Sequence, residues 1–151
     1  VTPNVAAILA TIRHSEGSDR ADDPYRVVYG FEITLQNLSD HPAITGEWLG
    51  VQTPWGHTSA AGAYQIEKAT WIDCKTQLGL HDFTGPSQDD CAILLLKRAG
   101  GLALINSGQV TAAIAACRGV WASLPGGSSG QPQKTLASLV DFYTSAGGQL
   151  A

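Results

Sequence analysis

Among the carboxylates of the chain, Glu16 is set apart by its spacing. Val5, Ile8, Leu9 and Ile12 recur at the i, i+3, i+4, i+7 interval of a helical stripe that faces a core. One further step of four residues reaches Glu16, and Gly17 follows, the residue type that leaves a helix with positive φ. A carboxyl group there is half-buried beside apolar neighbours and close to the negative end of the helix dipole. Both effects disfavour its charged form and raise its pKa, as a general acid working near neutral pH requires. On spacing alone the alternative is that Glu16 turns to solvent once the helix ends.

Two further segments carry groups suited to sugars. In SAAGAYQI, residues 59–66, small residues from Ser59 onward allow close backbone approach and lead into Tyr64 and Gln65. Gln65 can both donate to and accept from hydroxyl and acetamido groups. A tight helix entry would use the same small residues for packing. The segment WASLPGGSSGQ, beginning at Trp121, reads either as the floor of a cleft or as a glycine-rich connection between helices.

Other chemistries fit poorly. His14, His41, His57 and His81 are scattered, without H-x-x-x-H or H-E-x-x-H spacing, so no metal site and no cofactor is expected. Cys74, Cys91 and Cys117 fall at apolar positions of helical patterns, as buried free thiols do, rather than as a disulfide framework or an exposed nucleophile. A hydrolase that pairs Glu16 with a second carboxylate would draw it from Asp19, Asp22, Asp23, Glu32, Asp40 or Glu47.

The elements that must position these groups follow from the pattern. The 151 residues suit one domain with one core, and a charged content of only 15% against 44% apolar marks it as globular. A net charge of -4 with no basic stripe argues against nucleic acid as a partner. No apolar run approaches a membrane span, and the first residues lack the order of a signal peptide, so a soluble chain without membrane insertion is expected.

Thr2, Pro3 and Asn4 offer the start of the first helix. Tyr25, Val27, Tyr29, Phe31, Ile33 and Leu35 alternate as in a strand, with a bend or bulge at Gly30. Turns and short strands then continue to Thr58. Helical spacing returns at Tyr64, Trp71, Cys74 and Leu78, then at Cys91, Leu94 and Leu95 behind a capping box of Ser87 and Asp90. A short helix at LALIN follows, then stripes at Val110, Ala113, Ile114, Cys117 and Trp121, and at Leu136, Leu139, Val140 and Tyr143. The sum is a mainly helical α+β domain over residues 1–151 with a small β lobe at about residues 25–60.

The ordered segments HSEGSD, PYRVVYGF, LSDHP, SAAGAYQI, LGLHDFTGPSQD and WASLPG resemble the lambda-type phage endolysins from about Ile8 to Gly148. The resemblance implies a lysozyme-like fold with a cleft between a β lobe and a helical lobe. It further implies a monomeric lytic transglycosylase that acts on peptidoglycan glycan strands and forms 1,6-anhydromuramic ends. The catalytic acid of the family's S-E-G motif falls on Glu16. Its G-x-Y-Q segment falls on Gly62 to Gln65, giving Tyr64 and Gln65 as substrate-binding residues, with Ser59 at the start of the same segment. The W-A-S-L-P-G segment adds Trp121 and Ser123. Where related endolysins carry G-Y-G-Q, this chain has Ser128, Ser129, Gly130 and Gln131, so Gln131 is kept and an aromatic is missing. Trp48 and Trp55 are the candidates to replace it as stacking surfaces.

A host-cytoplasmic protein released to the wall by a holin is the implied location. Two other readings stay open: a muramidase using water with Glu16 and an aspartate, and a wall-glycan-binding protein without catalysis.

Overall fold

The structure, a computed structural model, describes residues 1–126 and 133–151. The chain divides into two compact units, one of residues 1–17 with 93–151 and the other of residues 18–92.

In the first unit, α1 spans Pro3–Glu16. The Thr2 hydroxyl accepts from the Val5 amide and Pro3 occupies the first turn, where its missing N–H costs nothing. The helix stops at Gly17, whose φ of 84° is a left-handed conformation that a side chain would resist. Val5, Ile8, Leu9 and Ile12 are buried, as their spacing predicts, and the buried face continues to Ser15.

This face packs on α5 (Gly101–Asn106) and α7 (Leu136–Ser145), and α5 packs in turn on α6 (Val110–Cys117). His14 of α1 stacks on Phe142 of α7 with ring centroids 4.0 Å apart. Asn4 ties the start of α1 to α5 and to the segment after α7: its amide donates to the Ile105 carbonyl at 2.9 Å, and its Oδ1 accepts from the Gln149 amide at 2.8 Å.

In the second unit the expected strand at residues 25–35 is absent. Gly30 and Phe31 both take positive φ, 84° and 59°, and the Phe31 amide returns to the Val28 carbonyl. The chain therefore folds back on itself, leaving single bridges from Val27 to Thr34 and from Val28 to Ala61. Val27 and Val28 are buried side by side while Phe31 and Ile33 are exposed, so the alternation has no sheet to face. The strands that do form are β1 (Val51–Thr53) and β2 (Gly56–Thr58), a short antiparallel hairpin after the single-turn helix α2 (Pro42–Thr45).

Two helices complete this part of the chain, α3 (Lys68–Leu78) and α4 (Gly85–Arg98), the latter running on into residues of the first unit. The capping box is not used: α4 begins before Ser87, whose hydroxyl donates to Asp82 instead. The core of the unit includes the aromatic side chains of Tyr64, Trp71 and Phe83. Phe83 meets the edges of Trp71 and His41 at centroid distances of 4.8 and 5.1 Å. His41 is fully buried, and its Nδ1 accepts from the Ala43 amide, which fixes the proton on Nε2 for donation to the Ile66 carbonyl. Burial holds its pKa below the ordinary value, so the ring stays neutral.

Candidate active site

Glu16 ends α1 half-buried, as its place on the stripe predicts. Burial among apolar groups pushes its pKa up to about 7, against a hydrogen bond from Ser123 and the charge of Lys134, which both favour the carboxylate. The Ser123 hydroxyl donates to Oε1 at 3.0 Å. Ser15, the residue before Glu16, lies 2.9 Å from the same hydroxyl. Both serines are buried.

The loop that brings Ser123 here leaves α6 through a tight turn. The Trp121 amide returns to the Cys117 carbonyl and the Leu124 amide to the Trp121 carbonyl. Trp121 is itself buried, 2% exposed, and packs as core beneath the loop. Its ring offers no face for a sugar in this structure. Among the residues expected to bind substrate, the first unit therefore brings Ser123 to Glu16 and buries Trp121. Gln131 lies outside the described residues.

The other three expected residues belong to the second unit, where each has a defined local partner. Tyr64 is fully buried and its hydroxyl donates to Asp89 Oδ1 at 2.5 Å. Tyr25 donates to the same oxygen at 2.9 Å. Ser59 is buried too; its hydroxyl donates to Glu67 Oε2 and accepts from the Lys68 amide, so it caps α3. Glu67 also takes the Thr58 hydroxyl and the Ser59 amide, clamping the end of the hairpin to the start of the helix. These geometries suit support rather than contact with a ligand.

Gln65 differs. It is half-buried and held at φ 51°, a left-handed conformation that costs on the order of 1 kcal/mol for a side-chain-bearing residue. Its amide donates to the Gly62 carbonyl, which leaves the side-chain oxygen as an acceptor on the surface. Trp55, 54% exposed at the hairpin turn, is the more open of the two tryptophans considered for stacking, and Trp48 is half-buried.

Sequence spacing passes over two groups that hold this architecture. Gln88 is fully buried; its Oε1 accepts from the Ala63 amide while its nitrogen donates to the carbonyls of Tyr25 and Phe83. A step of three back from the Cys91 stripe reaches it, which was the available signal. Ser15 gave none, because its partner is 108 positions away.

Several acids considered as a second carboxylate are engaged within their own unit. Glu47 accepts the amides of Gln36 and Asn37, and Asp40 accepts Trp71 Nε1, Lys75 Nζ and the His41 amide. Within the first unit the other carboxylate is Asp141, exposed on α7. Among the described residues no three His, Cys, Asp or Glu side chains gather as a metal site would require.

Comparison with known proteins covers the whole of this architecture. The Endolysin family model matches residues 6–150. The endolysin of Escherichia phage P2 is 36% identical, over 96% of this chain and 93% of its own. The endolysin of Escherichia phage lambda is 35% identical, over 94% of this chain and 90% of its own. Among solved structures, bacteriophage lambda lysozyme complexed with a chitohexasaccharide superposes with a TM-score of 0.90 at 33% identity, covering 100% of this chain and 98% of that one. A second structure of the lambda lysozyme gives 0.86 at 32% identity. The fold is lysozyme-like.

Proposed function

The chain belongs to the endolysin family, and on that premise we propose that it cuts the β-1,4 bond between N-acetylmuramic acid and N-acetylglucosamine in peptidoglycan without using water. Glu16 protonates the glycosidic oxygen as the bond to C1 breaks. The resulting carboxylate then takes the proton of the muramic C6 hydroxyl as that oxygen closes onto C1. Glu16 ends the cycle protonated, and the product carries a 1,6-anhydro ring. One residue thus serves as acid and as base, which needs a pKa near the working pH.

The carrying observation is the carboxyl of Glu16 at the buried end of α1, raised to about 7 and held by Ser123. The hydrogen bonds that Asp40 and Glu47 accept within their own unit count against these two as the second carboxylate of a hydrolytic route. Glycan as the ligand is supported by the chitohexasaccharide in the lambda lysozyme structure. In the second unit, Gln65 by hydrogen bonding and Trp55 by stacking have the chemistry to bind a glycan. No helix among the described residues is long and apolar enough to cross a membrane. Synthesis in the host cytoplasm with release to the wall through a holin is the route proposed with this function.

Mass spectrometry of fragments released from purified peptidoglycan tests the reaction. The expected products are lighter by one water than hydrolytic fragments and lack a reducing muramic end. Reducing ends at full mass would assign the attack to water and overturn the transglycosylase reading.

A further inference from the structure

Ser15 and Glu16 are consecutive on α1, so their side chains leave the helix about 100° apart and do not face each other. They are joined through a third group. Ser123, from the loop after α6, lies 3.0 Å from Glu16 Oε1 and 2.9 Å from the Ser15 hydroxyl. A serine hydroxyl holds one proton. Ser123 gives its proton to Glu16, so its contact with Ser15 is attractive only when Ser15 supplies the other. The order of donation is then fixed as Ser15 to Ser123 to Glu16 Oε1.

We infer that Ser15 is a positioning residue for the acid: acting through Ser123, it keeps Oε1 of Glu16 as the accepting oxygen, so that the transferable proton resides on Oε2. This rests on the reading of Glu16 as the acid. In the carboxylate both oxygens accept, and Ser123 binds one of them. In the protonated form one oxygen is carbonyl-like and the other carries the proton. A donor pinned on Oε1 by a second buried hydroxyl selects Oε2 for the proton in every turnover. Without Ser15 the Ser123 hydroxyl can rotate, and the proton is shared between two oxygens that point in different directions.

Of the charged groups in the first unit, Lys134 is the one that acts on Glu16, and Lys97 and Arg98 lie at the end of α4. Arg13 and His14 lie on α1 itself, Lys134 precedes α7, Asp141 and Tyr143 lie on α7, Arg118 belongs to the loop, and α5 contributes none. The proposal therefore separates from a general change of electrostatics, since neither serine carries charge.

A double-mutant cycle with Ser15→Ala and Ser123→Ala tests it. Each single variant is expected to lower kcat with little change in KM, about tenfold for Ser123→Ala and about threefold for Ser15→Ala, in line with an oriented hydroxyl contact. In the Ser123→Ala background, Ser15→Ala is expected to have no further effect. Both variants remove support from the charged form, so the alkaline limb of the kcat profile moves to higher pH. The titration of the Glu16 carboxyl carbon, followed by 13C NMR, should move the same way and gives a readout independent of turnover. Additive losses in the cycle, or an unmoved Glu16 titration in Ser15→Ala, would overturn the inference. Full activity of Glu16→Gln would instead overturn the reading it rests on, while the carbon titration would still report the serine chain.

Discussion

Glu16→Gln abolishes bond cleavage, by a factor of about 10³ or more, while glycan binding remains within a few-fold of the parent. The amide keeps the volume of the side chain and can still accept from Ser123, but it can neither give nor take the proton. The same variant is expected to be more stable at neutral and alkaline pH. The folded pKa of Glu16, about 7, lies above its ordinary value of 4.5. Between those values the folded chain holds a proton that the unfolded chain gives up, so stability falls as pH rises through the window. Glutamine does not titrate. Its advantage should be absent below about pH 4.5 and reach on the order of 2–3 kcal/mol above pH 7.

Urea unfolding of both proteins at pH 4 and pH 8 reads the stability effect, a turbidity assay on cell walls reads cleavage, and co-sedimentation with purified walls reads binding. A Glu16→Gln protein that still clears walls would transfer the acid role elsewhere. One that clears none, but shows no gain at pH 8, would leave the catalytic role standing and deny the burial argument.

The second large effect concerns stability of residues 18–92. Gln88→Leu keeps roughly the volume of the side chain and removes its partners from the Ala63 amide and from the carbonyls of Tyr25 and Phe83. The buried Ala63 amide and Phe83 carbonyl and the part-buried Tyr25 carbonyl each lose this hydrogen bond, at about 1–3 kcal/mol each before relaxation, so a loss of about 3–5 kcal/mol is expected. Gly62 limits that relaxation: a side chain there would collide with Gln88 Oε1, which shows how closely the backbone approaches this amide. Amide exchange at Ala63 is the direct measure. It should accelerate far more in Gln88→Leu than in an apolar core variant of equal overall instability. Equal acceleration in the two would reduce Gln88 to ordinary packing.

What could be seen in the sequence divides by range of interaction. The first helix was legible from its cap at Thr2, its stripe and its stop at Gly17, because each is an interaction within four residues. Glu16 was legible for the same reason, lying one step beyond Ile12. The strand expected at residues 25–35 failed because alternation records burial only when a sheet exists to bury one face. Here two positive-φ residues, Gly30 and Phe31, end the extension. Tyr64 and Trp121 were visible as aromatics, but their types alone could not say which way they face. The structure turns both inward, Tyr64 onto Asp89 and Trp121 into the core. Ser15 was invisible beside its conspicuous neighbour, since its whole meaning lies in a contact with a distant loop.

That distance bears on when the acid comes into being. Synthesis makes α1 before the helices that pack on it, so Val5, Ile8, Leu9 and Ile12 emerge uncovered and Glu16 emerges in water, where no burial raises its pKa. Residues 18–92 are translated next and belong to a different unit. The helices that cover α1 and the serine that holds the acid follow only afterwards, Ser123 being 107 positions behind Glu16. On the proposed reading of Glu16, a nascent chain therefore carries the acid before it carries the acid's environment. On that reading the surroundings that raise its pKa are complete only after α5, Ser123 and α7 have been made and have packed on α1.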